Sequence, residues 1–83
     1  MKVTVAKLMK FSLVKTEVEV EDYARASCVV QENRDSLCLG SGEWYGLGLG
    51  VITVDGRKVA NVSYNGRVWT DNKLVMEAST GDV

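Results

Sequence analysis

Histidine and proline are absent from this chain of 83 residues, and cysteine occurs only twice. Without histidine, general acid–base catalysis near neutral pH would depend on a carboxylate, a cysteine or a lysine, and Cys-His or Ser-His pairs cannot form within the chain. Two cysteines alone also cannot complete a structural zinc site, which takes about four protein ligands. We therefore predict a protein that is not an enzyme and that holds no metal and no cofactor.

A long apolar run is missing as well, and a membrane-spanning helix needs roughly 20 such residues. Lys2, Lys7 and Lys10 interrupt the apolar residues near the N-terminus, so we expect no signal peptide. These features predict a cytosolic protein without a membrane partner. In a reducing cytosol, Cys28 and Cys38 are expected to be small apolar residues rather than a disulfide.

Charge of one sign does not dominate, because the formal net charge is −1, and this argues against non-specific binding to nucleic acid. The distribution is nevertheless uneven. Residues 1–16 contain four lysines and no acidic residue, whereas residues 17–36 contain six acidic residues and two arginines. One interpretation is that solvated faces attract each other in the fold. The other is an acidic edge that contacts a basic partner, formed by Glu17, Glu19, Glu21 and Asp22.

Two dipeptides, Asp55-Gly56 and Asn65-Gly66, are the strongest local signals that the sequence does contain. Such dipeptides favour two-residue type I′ turns, because both central residues of that turn have positive φ. Residues 44–70 are therefore predicted to form a three-stranded antiparallel meander. Its predicted register is Val54 opposite Arg57, Ile52 opposite Val59, and Ser63 opposite Val68.

Alternation of side chains along these strands separates the predicted meander into two faces. The predicted core face carries Tyr45, Leu47, Leu49, Val51, Ala60, Val62, Tyr64 and Trp69. The opposite face is small and half polar, and it carries Gly46, Gly48, Gly50, Ile52, Asn61, Ser63, Val68 and Thr70. The bare strip of glycines either receives a bulky packed group or accepts the backbone of a partner. In the second case, the candidate contact residues are Gly46, Gly48, Gly50, Asn61, Ser63 and Arg67.

The remaining segments complete a small α+β fold. Residues 3–13 alternate like a strand, but the apolar parity then switches, which favours one long bent strand or an irregular hairpin joined near Lys15-Thr16. Residues 21–36 are predicted as the single helix, and residues 73–78 as an edge strand or one helical turn. Residues 79–83 are expected to fray. The prediction is one α+β domain over residues 1–83, of order β-α-β-β-β, with the helix packed on one face of an antiparallel sheet.

Two other functions remain open beside protein binding. A small-ligand or nucleotide-binding oligomer would use Arg57, Arg67 and the glycine strip between subunits, and a homodimer is compatible with the sequence. A nucleic-acid platform would need exposed aromatic residues beside basic ones. The candidates are Trp44, Tyr45, Tyr64 and Trp69 with Arg57, Lys58 and Arg67. The surrounding Leu47, Leu49 and Val62 instead favour a core position for these aromatic residues.

The stretch at residues 40–46, followed by the hairpin that ends at residues 62–69, resembles small accessory proteins of phages and plasmids. This resemblance implies an origin in a mobile element. Acidic proteins of this size without catalytic groups, such as anti-CRISPR proteins, often bind and block a host defence complex. Our leading hypothesis is therefore a small non-enzymatic inhibitor or accessory factor that binds a protein partner and occludes it.

Overall fold

The computed structural model describes residues 1–79 as an α+β domain, in which a six-stranded antiparallel sheet carries one main helix on one face. The strands are β1 (Lys2–Met9), β2 (Ser12–Glu19), β3 (Val51–Val54), β4 (Arg57–Val62), β5 (Val68–Thr70) and β6 (Lys73–Met76), and the helices are α1 (Tyr23–Ser36) and α2 (Ser41–Gly46). The spatial order is β2-β1-β3-β4-β5-β6, so β3 to β6 form a meander. The predicted α+β class, with an antiparallel sheet and a main helix on one face, is confirmed, and the observed order adds β2, α2 and β6 to the predicted β-α-β-β-β.

The N-terminal segment is a tight hairpin rather than a bent strand. Met9 pairs with Ser12, and the chain reverses at Lys10-Phe11 instead of near Lys15-Thr16. The reversal explains the switch in apolar parity, because Val3 pairs with Val18 and each odd residue of β1 therefore faces an even residue of β2. The turn escaped prediction because neither Lys10 nor Phe11 is a common turn residue.

Helix α1 has clear signals at both ends, and these confirm the helix predicted over residues 21–36. The carboxylate of Asp22 caps its N-terminus by accepting a hydrogen bond from the N–H of Arg25 at 2.8 Å. At the other end Cys38 adopts a φ of 53°, and the N–H of Leu39 donates to the carbonyl of Arg34 at 2.9 Å. This is a Schellman ending with cysteine at the position that glycine usually occupies.

Residues 44–50 do not form the predicted first strand of the meander. Helix α2 covers Ser41–Gly46, and the N–H of Gly40 donates to the carboxylate of Glu43 at 3.0 Å, as at a capped helix start. Gly48 and Gly50 then have φ values of 69° and 86°, which regular strand residues do not adopt. Gly46 therefore ends α2, Gly48 lies in the turn that follows, and Gly50 directly precedes β3. The three glycines do not form one strip.

The two dipeptide turns behave differently. Asp55 and Gly56 have φ values of 52° and 79°, as a type I′ turn requires, and Val54 pairs with Arg57 as predicted. At Asn65-Gly66 only Gly66 has positive φ, at 92°, and the N–H of Ser63 donates to the carbonyl of Arg67 at 2.8 Å. This is a three-residue loop with glycine at its last position.

Two register differences follow, and they correct the predicted faces. A bulge at Ile52/Thr53 places Ile52 opposite Ala60 instead of Val59, and the longer loop places Val62 opposite Val68. Since one inserted residue reverses the parity, Ile52 and Val68 are buried in the core. Val51 and Trp69 alternate with them and lie on the other face. Tyr45, predicted as core, is 62% exposed.

The core lies between α1 and the sheet, and α1 packs against β1 and β4. Its largest fully enclosed side chains are Trp44, Ile52, Val3, Val30, Val62, Val68 and Ser27. Ser27 is the polar member, and its hydroxyl has three hydrogen bonds. It donates to the carbonyl of Gly66 at 2.6 Å and accepts from Gln31 at 3.1 Å and from the N–H of Ser79 at 3.0 Å.

The C-terminal segment forms an edge strand, one of the two alternatives predicted for residues 73–78. Asp71 and Asn72 make its turn, with φ values of 46° and 67°. Ser79 was expected to fray, but its backbone is tied to Ser27 in the core. Residues 80–83, for which fraying was also predicted, lie outside the described residues.

Candidate functional site

One face of the sheet lies opposite α1, and we call it the open face. A row of cross-strand neighbours crosses all six strands of the sheet on this face. Thr4 pairs with Glu17, Val51 with Asn61, Asn61 with Trp69, and Trp69 with Leu74, while the hydroxyl of Thr4 donates to the carbonyl of Val51 at 3.3 Å. On the four inner strands, residues that alternate with this row are buried on the helix side, namely Val3, Val5, Ile52, Ala60, Val62 and Val68. The row therefore points away from the core.

A shallow groove of about 370 Å³ lies on the open face. Its lining consists of two aromatic residues, three amides and one hydroxyl, which are Tyr45, Trp69, Asn61, Asn65, Asn72 and Ser63. The amides both donate and accept hydrogen bonds, and the aromatic rings offer apolar surface that stays rigid. Such a mixture suits an extended polar surface with aromatic anchors better than it suits an enclosed apolar ligand.

Two residues of the predicted contact surface, Asn61 and Ser63, lie together in this groove. The predicted glycines do not join them. Gly48 is exposed beside the Lys15 side chain, and Gly50 is buried with its α-carbon against the carbonyl of Val62. The glycine strip therefore fails as a geometric feature, because it assumed a strand that the chain does not form.

The charged residues of the predicted surface separate into three places. Glu17 lies in the row on the open face, and Glu19 lies beside it on β2, 3.7 Å from the N-terminal amine. Glu21 and Asp22 lie at the start of α1, where Asp22 serves as the helix cap. Arg67 is engaged by Glu77, with Nε and Oε1 2.9 Å apart. The acidic residues thus do not form one continuous edge.

The aromatic residues also separate. Trp44 is enclosed in the core, and the hydroxyl of Tyr64 donates to the carbonyl of Leu39 at 2.9 Å. The guanidinium of Arg34 covers the Tyr64 ring at 5.4 Å from its centroid. Only Tyr45 and Trp69, of the four aromatic candidates, line the groove. A continuous stacking platform is not assembled from them.

Sequence reasoning missed several residues of the open face. Asn65 was predicted only as a turn residue, Tyr45 was placed in the core, and Asn72 and Leu74 were not assigned to a surface. Leu74 is 44% exposed at the end of the row. The one sequence signal that could have placed Asn72 on this surface is its position in a turn beside an alternating strand, since turns lie at the margins of a sheet.

Cys28 and Cys38 are free thiols, the first half-buried in α1 and the second exposed after it. Within residues 1–79, no group of three or more histidine, cysteine, aspartate or glutamate side chains is placed to hold a metal ion. No helix in the same span is long and apolar enough to cross a bilayer. Comparison with protein-family models, with curated proteins and with solved structures finds no match for this chain.

Proposed function

We propose that this protein is a small non-enzymatic factor that binds a protein partner through the open face and acts by occluding it. The observation that carries the proposal is the groove in which Trp69 and Tyr45 lie among amide side chains on a paired sheet. Protein interfaces are enriched in aromatic residues at their centre and are polar at their rim. Trp69 and Tyr45 would be the anchors, and Asn61, Ser63 and Asn72 the surrounding hydrogen-bonding groups.

The row of residues on β1 and β2 extends this surface toward a charged end. Thr4 continues the row from Val51, and Glu17 and Glu19 follow on the outer strand with exposed side chains. Carboxylates at the margin of an interface mainly steer association and select partners of opposite charge. The partner expected here therefore presents a basic margin on the side that meets β2.

A nucleotide-binding role has less support from the geometry. Arg57 begins β4 and Arg67 lies beyond the opposite end of that strand, so the two guanidinium groups do not converge within one chain. Arg67 is moreover paired with Glu77. An oligomer that brought Arg57 of one subunit to Arg67 of another would be required, which keeps this function the second candidate.

The identity of the partner is the finer part of the proposal. Residues 40–46 and 62–69 carry the resemblance to phage and plasmid accessory proteins. The same two segments supply four of the six groove residues, namely Tyr45, Ser63, Asn65 and Trp69. We therefore propose a protein of a mobile element whose target is a host complex, with a defence complex as the leading candidate.

Purification of the chain from its host without denaturation, followed by native mass spectrometry, tests the proposal. Leu74→Asp places a charge in the open face at an exposed position, and Ala24→Asp places the same charge on the exposed side of α1 as a matched control. We expect a stoichiometric protein partner with the wild type and with Ala24→Asp, and its loss with Leu74→Asp. Circular dichroism verifies that both variants are folded.

Two results would contradict the proposal. A copurifying nucleotide in place of a protein would favour the ligand-binding oligomer. A partner that both variants retain equally would show that the open face is not the contact surface.

A further inference from the structure

The end of the β1–β2 hairpin forms a second exposed feature, which we call the hairpin tip and define as residues 8–11. Strand β1 pairs with β3 only at Lys2 and Val3, so the hairpin extends beyond the rest of the sheet. Phe11 is fully exposed, and Leu8 and Met9 are 58% and 48% exposed. The tip therefore presents three large apolar side chains to solvent, and none of them belongs to the core cluster of the described residues.

The backbone conformation of the tip is unfavourable for the residues that occupy it. Lys10 has a φ of 56° while the φ of Phe11 is negative, which are the φ signs of a type II′ turn, where glycine normally comes first. The same chain uses Asp55-Gly56 and Asp71-Asn72 where a hairpin only needs to reverse. Folding stability thus explains neither the lysine nor the phenylalanine, which suggests a role in contact.

Between Lys7 and Lys15, every charged side chain of the hairpin is positive. Lys7, Lys10 and Lys15 are exposed on the hairpin, and no acidic residue occurs before Glu17. Glu17 and Glu19 pair with Thr4 and Lys2 near the opposite end of the ribbon. At about 3.3 Å per residue, Glu17, the nearer of the two, lies roughly 20 Å from Phe11 along β2, which exceeds the screening length of about 8 Å at physiological salt. Among the charges of the hairpin, those next to the tip are therefore the lysines.

We propose that the hairpin tip inserts into the interface of an anionic lipid bilayer. Phe11, Leu8 and Met9 would enter the boundary between headgroups and acyl chains, and the lysines would contact lipid phosphates and carboxylates. Apolar burial and attraction to anionic lipid are the two contributions that hold peripheral proteins on membranes. The prediction of no membrane partner was based on the lack of a membrane-spanning segment. Insertion of a hairpin tip into the bilayer interface does not need such a segment.

The arrangement of the apolar residues favours a bilayer over an acidic pocket on a protein. Leu8 and Met9 are successive residues of β1, so they point to opposite faces of the ribbon, and both are exposed. A protein groove would contact one face and leave the other apolar face in water. A bilayer surrounds the tip on every side.

Cosedimentation with vesicles tests the proposal. One set is phosphatidylcholine with phosphatidylserine, and the other is phosphatidylcholine alone. We expect binding to the first and little to the second, and Phe11→Ser should weaken binding about tenfold or more. Val75→Ser removes an apolar side chain that is 47% exposed at the opposite edge of the sheet and should leave binding unchanged.

Charge reversal provides the second pair of variants. Lys7→Glu with Lys10→Glu should abolish binding, whereas Lys58→Glu with Lys73→Glu, which change the net charge equally on the distant strands, should retain it. Phe11→Trp provides a readout of insertion when the emission of the wild type, which contains Trp44 and Trp69, is subtracted. The fluorescence of the added tryptophan should shift to the blue with anionic vesicles and be quenched by brominated acyl chains, and that of Val75→Trp should not.

Three results would overturn the proposal. The first is that the wild type does not bind anionic vesicles. The second is that Phe11→Ser binds them as well as the wild type does. The third is that both charge-reversed pairs lose vesicle binding to the same extent. If vesicles fail while Phe11→Ser loses a protein partner in the native purification, the tip is a protein contact instead. None of these results bears on the open face, which is tested by Leu74→Asp.

Discussion

The side-chain amide of Asn33 forms both hydrogen bonds that a neighbouring strand would give to Ala6. Its Nδ2 donates to the carbonyl of Ala6 at 2.8 Å, and its Oδ1 accepts from the N–H of Ala6 at 3.0 Å. Ala6 is buried, and β3 has already separated from β1 at this point. One residue of α1 thus satisfies the free edge of β1 and attaches the helix where the hairpin begins to project.

Replacement of Asn33 should therefore weaken this attachment. Asn33→Asp keeps an acceptor for the N–H of Ala6 but sets a carboxylate against its carbonyl, and it should lower the free energy of unfolding by about 2–3 kcal/mol. Urea denaturation measures the loss, and the amide of Ala6 should exchange its hydrogen faster. Glu32→Ala, on the exposed side of α1, is the control. Equal stability of the two variants would show that the amide pair is dispensable.

The three glycines at 46, 48 and 50 should respond in three different ways to alanine. Gly50→Ala should cost about 3 kcal/mol or more, because its Cβ would collide with the carbonyl oxygen of Val62 at a φ of 86°. Gly48→Ala meets no close neighbour and should cost about 1–2 kcal/mol from its positive φ. Gly46→Ala lies in α2 with open space around it and should be neutral or stabilising by up to about 1 kcal/mol. Thermal melting ranks them, and similar losses at all three would restore the strand that the structure excludes.

The buried hydroxyl of Ser27 should matter more than its size indicates. Ser27→Ala leaves the carbonyl of Gly66 and the N–H of Ser79 without this partner, and we expect a loss of about 1–3 kcal/mol in the free energy of unfolding. Ser36→Ala, at the exposed end of α1, should change stability by less than about 0.5 kcal/mol. A loss confined to the control would contradict the assigned network.

Glycine at the hairpin tip should improve the fold. Lys10→Gly removes a lysine from a φ of 56° and should raise the free energy of unfolding by about 1 kcal/mol. Cys38→Gly should act similarly, since Cys38 has a φ of 53° at the end of α1. Lys7→Gly, inside β1, should instead lower stability by about 1 kcal/mol. Melting temperatures in this order would verify both turns, and a lower value for Lys10→Gly would contradict the tip geometry.

Much of the local structure could be predicted from the chain because its signals are local. Asp22 with the helical pattern that follows predicts α1, and Asp55-Gly56 predicts its turn and the pairing beside it. Asn65-Gly66 correctly predicts a reversal, and the positive φ of Gly66 is confirmed, but the dipeptide does not specify the loop length. Two- and three-residue loops both accept it, and the choice between them shifts every later pairing.

The open face could not be predicted, because its composition depends on parity. The bulge beside Ile52 and the longer loop before Val68 each insert one residue, so residues predicted for the surface are buried and Trp69 comes to the open face. Asn61 and Ser63 remain in the groove, but their neighbours are not those predicted. No local pattern marks either insertion.

By itself, the sequence determined the α+β composition, the helix α1, the positions of most turns and the uneven charge that leaves the hairpin basic. These depend on residue type and on neighbours a few positions away. Tertiary structure alone decided the course of residues 44–50. Gly50 donates to the carbonyl of Thr4 at 2.8 Å and accepts from the N–H of Val62 at 2.7 Å, so it connects β1 with β4 at a φ open mainly to glycine. That close contact between β1 and β4 determines where β3 begins and which residues reach the open face. The alternation of Tyr45, Leu47 and Leu49 along the sequence does not.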